Sequence, residues 1–352
     1  MTSRAPRRTR RHLASAVALA AATVIALTGC GSSDAKSSSA AGDKNAPGGN
    51  ATVSLRIPDP GNNGVLALGK KDGSLDAALA KVGAKVAWTG STGPFAPAAQ
   101  AINAGQLDVA LGSITSGVAA LGQKPSFKLF AATAPDLAGE GILVKNDSKI
   151  HSIQDLVGRK VACSQGGSSE YLLLKALEQA NIPADKVERV YLRADQTAPV
   201  FNAGQVDAWA TWATYSVPAI AASNAHWLAD GRALGSDNYS VWAVRNAFAD
   251  KHPEIVKAFY AYLHEAGTKE IADPAAYINV FTDSGPTAYG AEPKKVQVDF
   301  TRQGATVQPI QPSDVERFGK VAQFFLDQKV TPSLVDVKPH LLDVTTLPGA
   351  GG

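Results

Sequence analysis

Five short stretches hold the groups with which this sequence could do chemistry: 58–64 with Asp59, 90–94 with Ser91, Thr92 and Gly93, 112–116 with Ser113 and Thr115, 164–169 with Gly166, Gly167, Ser168 and Ser169, and 211–215 with Trp212 and Tyr215. Each follows an apolar run that reads as a strand, and in open α/β sheets ligands sit outside the carboxyl ends of the strands. The donors are almost all neutral. At Ser113/Thr115 and again at Gly167, Ser168 and Ser169 the loop runs straight into a helical pattern. Unpaired N–H groups and the positive end of a helix dipole would face the cleft there, which suits a small anion. Taken singly, each loop reads more readily as helix capping by Ser or Thr. The same chemistry at several strand ends favours binding.

Catalytic, cofactor and metal-binding signals are missing, and none of the three is expected. His151, His226, His252, His264 and His340 stand at no metal-ligand spacing. There is no G-x-S-x-G elbow, no P-loop and no G-x-G-x-x-G after a strand. Cys163 closes an apolar strand and reads as a small core residue rather than a nucleophile. Side chains alternate along a strand, so Trp209 belongs within the sheet, whereas Trp212 and Tyr215 fall past its end as core or as cleft wall.

The elements that must position these loops show an internal echo. INAGQLD at 102–108 and FNAGQVD at 201–207 agree at five positions in register, the aspartates 108 and 207 lying 99 residues apart. Each copy spells a helix that stops at a glycine, followed by a buried strand. So long a period points to two α/β lobes rather than a solenoid, whose repeat is roughly 20–50 residues. Helix–Gly–strand is also how αβ connections are ordinarily written, so chance remains the alternative source. Around the echo, strands are expected at 52–57, 85–89, 107–111, 127–132, 141–144, 160–163, 187–192, 206–210 and 239–244, with helices over 65–82 (broken near Gly73), 95–104 and 171–180. From Pro253 onward the pattern is helical, over 254–270, 274–281, 293–303 and 312–327. This alternation is that of a mixed, mostly parallel α/β arrangement flanked by helices.

The N-terminus has its own logic. Arg4, Arg7, Arg8, Arg10 and Arg11 precede an apolar run, 13–27, too short for an ordinary membrane span and closed by Leu27-Thr28-Gly29-Cys30. Residues 1–29 read as a secretory signal, and residues 30–51, rich in Gly, Ser, Ala, Asp and Lys, as a flexible tether. The formal charge of +3 becomes −2 without those five arginines, so no nucleic-acid partner is expected.

Leu-Thr-Gly-Cys resembles the lipobox of bacterial lipoproteins, which implies lipidation of Cys30 and anchoring to the outer face of the cytoplasmic membrane through lipid alone. The chain resembles the substrate-binding proteins of bacterial ABC importers for aliphatic sulfonates, whose related branches take up taurine, nitrate and thiamine-precursor pyrimidines. The likeness spans about 52–270. Its motifs are TVSLRI, Gly93-Pro94 before a helix, AGQLD at 104–108, GILV at 141–144, IQDLVGRKVA at 153–162, Gly166-Gly167-Ser168 and VDAWATW at 206–212.

The resemblance implies a two-lobed type II periplasmic-binding fold that closes over its ligand. Lobe one would be 52–140 plus 245–352, and lobe two 141–244 including the crossovers. A sulfonate would be held by the helix N-terminus after Gly166, and the partners would be an ABC permease and ATPase serving a monomeric receptor. An enzyme or pyrimidine binder on the same scaffold is the alternative. Its pyrimidine-synthesising relatives use a cysteine-rich motif, against which a lone Cys163 speaks. Where the family often has Trp-Asp-Pro-Tyr this chain has Trp212-Ala213-Thr214-Tyr215, and Asp59 stands between prolines. Both departures alter the polarity of the pocket.

Overall fold

The structure, a computed structural model, describes residues 52–133, 137–222 and 224–349. The signal segment 1–29, Cys30 and the tether 30–51 lie outside the described residues. Among the described residues no helix is long and apolar enough to cross a membrane.

The chain begins with β1 (Val53–Asp59), α1 (Val65–Asp72), α2 (Ser74–Ala80), β2 (Ala84–Ser91), α3 (Phe95–Asn103), β3 (Val109–Ser113), α4 (Ile114–Leu121) and β4 (Phe127–Ala132). The helical pattern over 65–82 breaks where expected, at Gly73, whose φ of 75° lies in the left-handed region that glycine adopts without strain. A second series follows: β5 (Gly141–Lys145), β6 (Lys160–Cys163), α5 (Ser168–Gln179), β7 (Glu188–Tyr191), α6 (Ala194–Asn202), β8 (Ala208–Thr211), α7 (Ala213–Ala222) and β9 (Ala225–Asp230). The chain then returns through β10 (Ser240–Arg245), α8 (Asn246–Lys251), α9 (Pro253–Ala272), α10 (Ala291–Gln303), β11 (Gln308–Pro309) and α11 (Pro312–Asp327).

These strands build two lobes. One holds the parallel pair β1–β2 and the four-stranded sheet β11-β4-β10-β3; the other holds the five-stranded sheet β7-β6-β8-β5-β9. β1 lies beside β3, because the Asp108 N–H donates to the Arg56 carbonyl at 3.0 Å. The sheets are mixed. Parallel pairing holds for β1–β2, β6–β7 and β6–β8, as βαβ units require. Antiparallel pairing enters at β5, the first strand of the second sheet, and at β10, the first strand after the return; each runs against both its neighbours.

The core is apolar where the alternation places it. Leu55 and Ile57 of β1 pack with Phe130, Val244, Ile255 and Phe259, while in the other lobe Val161 of β6 and Ala210 of β8 share a core cluster with Leu172 and Leu173 of α5. Two expectations give way. Residues 274–281 are not a helix: a 3-10 turn at Pro274–Tyr277 ends at Ile278, which is extended. Asn279 then takes φ 58° with its N–H donating to the Asn63 side chain, so that loop carries the backbone elsewhere. The stretch 211–215, expected as a loop, is mostly α7, and Trp212 alone separates that helix from β8.

Candidate functional site

Strand ends from both lobes open onto one cavity of about 1400 Å³. At its centre the N-termini of α4 and α5 meet. Ser113 is the N-cap of α4, and it forms a capping box with Ser116: the Ser116 N–H donates to Ser113 Oγ at 3.2 Å and the Ser113 N–H to Ser116 Oγ at 3.0 Å. Ser113 therefore caps, as the simpler reading had it. Ser168, the first residue of α5, does not cap its own helix. Its hydroxyl donates to Ser113 Oγ at 2.9 Å and lies 3.1 Å from Thr115 Oγ1, so it ties one lobe to the other.

Thr115 is fully buried below this junction, with its Oγ1 2.9 Å from Asn238 Oδ1. The Asn238 side-chain amide donates in turn to Glu140 at 2.7 Å, and the Ser236 hydroxyl donates to the other oxygen of that carboxylate. Glu140 is buried and lines the cavity. Nothing in its sequence context marked it, because the hydroxyl and amide that hold it come from positions nearly a hundred residues away.

The turn before α5 is also built around a carboxylate. Gly166 has φ 65°, and its N–H donates to Glu170 at 2.7 Å; Arg189 donates to the same carboxylate at 3.0 Å, joined by the Tyr191 hydroxyl. An anion at this turn would find the Gly166 N–H already engaged. It would rely on the free N–H groups of the first helical turn. The Ser169 hydroxyl faces inward and accepts from the Ser164 N–H at 2.7 Å.

Of the residues singled out from sequence, Thr92, Gly93, Ser113, Gly166, Gly167, Ser168, Trp212 and Tyr215 line the cavity. Thr115 and Ser169 lie buried behind its wall. Ser91 is exposed at the end of β2 and does not line the cavity. Asp59 likewise turns away: it accepts from the Gly61 N–H at 3.0 Å and pairs with Lys70. Burial tends to raise its pKa, but the Lys70 and Gly61 bonds outweigh that and hold it below the usual carboxylate range. Lys70 itself sits near the rings of Trp88 and Phe281, 5.3 and 5.8 Å from their centroids, which anchors the loop after β1.

Trp212 is half-buried and meets Tyr215 edge-on with ring centroids 5.1 Å apart. Trp209 is buried within the sheet against Phe201. Carboxylates outnumber cations in the lining, the cations being Arg189 and Lys329. Among the described residues no group of His, Cys, Asp and Glu could hold a metal ion. Burial, with the Glu170 charge adding to it, pushes the Cys163 thiol up to about 12, so it carries no thiolate at neutral pH.

Comparison with known proteins follows the same lines. The sequence signature described as NMT1/THI5 like matches residues 83–276. An Escherichia coli (strain K12) protein named "Putative aliphatic sulfonates-binding protein" is 26% identical over 252 residues, 71% of this chain and 77% of that protein. A taurine-binding periplasmic protein of the same organism is 32% identical over 177 residues; the match spans 48% of this chain and about half (52%) of that protein. The solved structure of an alkanesulfonate-binding protein from Xanthomonas axonopodis pv. citri, bound to MOPS, superposes with a TM-score of 0.75 at 22% identity, over 83% of this chain and 98% of that one. At that identity the likeness speaks for the two-lobed periplasmic-binding fold.

Proposed function

Because the chain belongs to the NMT1/THI5-like family, we propose that it is an extracytoplasmic solute-binding protein, delivering a small organic anion, preferably an aliphatic sulfonate, to an ABC permease and its ATPase. One observation carries this reading: the N-termini of α4 and α5, from different lobes, converge on one cavity and are joined there through Ser113, Thr115 and Ser168. The dipoles of both helices and the N–H groups of the first turn of α5 favour an anion without a permanent countercharge, while the first-turn N–H groups of α4 are taken by the Tyr239 carbonyl, Asn238 and Ser113. The rings of Trp212 and Tyr215 offer an apolar wall for an organic tail. Relatives named for aliphatic sulfonates and taurine support the choice of anion.

In this reading the chain is a monomeric receptor that binds and releases rather than catalyses. Lobe one comprises 52–140 and 245–352, lobe two comprises 141–244, and lipid on Cys30 tethers the receptor after removal of 1–29. Thermal-shift and calorimetric titration against ethanesulfonate, butanesulfonate, sulfate, nitrate and neutral amino acids tests the ligand. Ligand bound only by the folded state raises its stability by RT ln(1 + [L]/Kd). Alkanesulfonates should raise the midpoint most. If they give no shift while another class does, the sulfonate assignment fails. For the anchor, Cys30→Ala should move the protein out of the membrane fraction; retention there would exclude lipid as the tether.

A further inference from the structure

The carboxylates of the cavity are not equivalent. Glu170 is matched by Arg189, and Glu140 is held by Ser236 and Asn238. Glu270, in the last full turn of α9, lines the same cavity, yet among the described residues it makes no hydrogen bond and no ion pair. It stands beside the loop after β1: a Cβ added at Gly64 would lie 3.9 Å from its Oε1. Tyr277, Ile278 and Tyr289 line the cavity with it.

Its ionisable surroundings supply no countercharge. Tyr277 is the group from a neighbouring element whose titration it influences. Lys269 on its own helix is paired with Glu265, Lys71 of α1 is bonded to the Val280 carbonyl, and Asp273 carries the same sign. Burial alone lifts the Glu270 carboxyl to about 7. A half-buried carboxylate facing a binding cavity without a protein cation is costly unless something else neutralises it.

We propose that Glu270 is a specificity-determining residue that receives a protonated amino group on the ligand, so that the cavity selects zwitterionic amino-sulfonates over plain alkanesulfonates. This rests on the sulfonate reading above. The anionic head would lie between α4 and α5, an alkyl stem along the aromatic wall, and the ammonium at Glu270. Ligand thus brings the cation that the cavity lacks.

The test is calorimetry at pH 8 with 3-aminopropanesulfonate and propanesulfonate, and with the two-carbon pair, on wild type and Glu270→Gln. Wild type should bind the amino member at least tenfold more tightly. In Glu270→Gln the ratio should fall to within about twofold, through loss of the amino ligand's affinity. An unchanged ratio, or a wild-type preference for the plain sulfonate, overturns the proposal while leaving the sulfonate reading standing. If wild type binds neither member, both fall.

A second measurement needs no variant. At pH 7, titrations in two buffers of different ionisation enthalpy should show net proton release with the amino-sulfonate and none with the plain one. Equal proton counts for the two ligands overturn the proposal even where the variant does not fold.

Discussion

Asp108 and Asp207, 99 residues apart, each clamp a strand of their own lobe through the same pair of bonds. The Asp108 N–H donates to the Arg56 carbonyl at 3.0 Å and its carboxylate accepts the Arg56 N–H at 3.0 Å; Asp207 does both with Lys160 at 2.8 Å. The helix ends before them also match. Gly105 and Gly204 both have φ 69°, and the Gln106 and Gln205 N–H groups reach back to the Ala101 and Val200 carbonyls, closing Schellman caps. The echo in the sequence is thus one device used twice: a helix stop followed by an aspartate that fixes where the next strand enters.

The two copies differ in burial, which sets a first prediction. The Asp108 side chain is 1% exposed and also pairs with Arg56 and Arg245, whereas that of Asp207 is 39% exposed with Arg159 at 4.0 Å. Burial works to raise the Asp108 pKa, but the Arg56 and Arg245 bonds outweigh it and hold the carboxyl below its ordinary range. Asp108→Ala should cost about 3 kcal/mol, since it strands two arginines that are themselves only partly exposed. Asp207→Ala should cost about 1 kcal/mol. The Asp108 contribution is present above roughly pH 4 and is lost as pH falls through the folded-state value. Urea denaturation of both variants decides it, and equal costs would refute the argument from burial.

Glu270 has the opposite sign. Its pKa is raised by burial from 4.5 to about 7. Between those values the folded state keeps a proton that the unfolded state has lost, so stability declines as pH rises across that window and the full cost is felt above it. The magnitude is on the order of 2–3 kcal/mol, allowing for partial solvent access. Denaturation midpoints of ligand-free wild type should fall relative to Glu270→Gln between pH 5 and pH 8. Parallel pH profiles for the two proteins would show that the carboxyl is not desolvated.

Much of this fold could be read from hydrophobic periodicity, and the exceptions have physical causes. β4 and β6 stand where apolar runs end at turn residues, and α11 starts at its proline. α7 went unseen because ATYSVPAIAA carries Pro218 and no polar face, so nothing in it repeats at helical spacing. β9, AHWLAD, follows the small-residue run at the end of that helix and presents no clean alternation. In the cavity, the loop donors were legible because Gly and Ser cluster at strand ends. Glu140, Arg189 and Glu270 were not, because a carboxylate or guanidinium inside looks in sequence like one on the surface. Only the packing of distant segments tells them apart.

Ser168 and Ser169 are neighbours with separable roles. The Ser168 hydroxyl reaches across to Ser113 and Thr115, while that of Ser169 accepts the Ser164 N–H within its own lobe. Ser168→Ala should weaken sulfonate binding at least tenfold, or about 1.4 kcal/mol, a loss larger than the roughly 1 kcal/mol that its bonds to Ser113 and Thr115 contribute to stability. Ser169→Ala should leave affinity nearly unchanged, costing about 1 kcal/mol of stability by leaving the Ser164 N–H unpaired. Calorimetry and denaturation on the same preparations separate the two. Unaltered affinity in Ser168→Ala would make that hydroxyl a structural tie and nothing more.

Trp212 should report ligand where Trp209 does not. Strand β8 ends at Thr211, so Trp209 points into the sheet and packs on Phe201, whereas Trp212 stands past the carboxyl end and lines the cavity with Tyr215. A ligand tail against the Trp212 ring removes water from it and changes its emission; the buried Trp209 has no water to lose. Trp88, Trp227 and Trp242 also emit, so the comparison is between single variants rather than absolute signals. Trp212→Phe should lose most of the ligand-induced fluorescence change and Trp209→Phe should keep most of it. Trp209→Phe should also cost more stability, because its ring is almost wholly buried and the smaller replacement leaves a void. If the change survives in Trp212→Phe and vanishes in Trp209→Phe, the wall that meets the ligand is not the one at the end of β8.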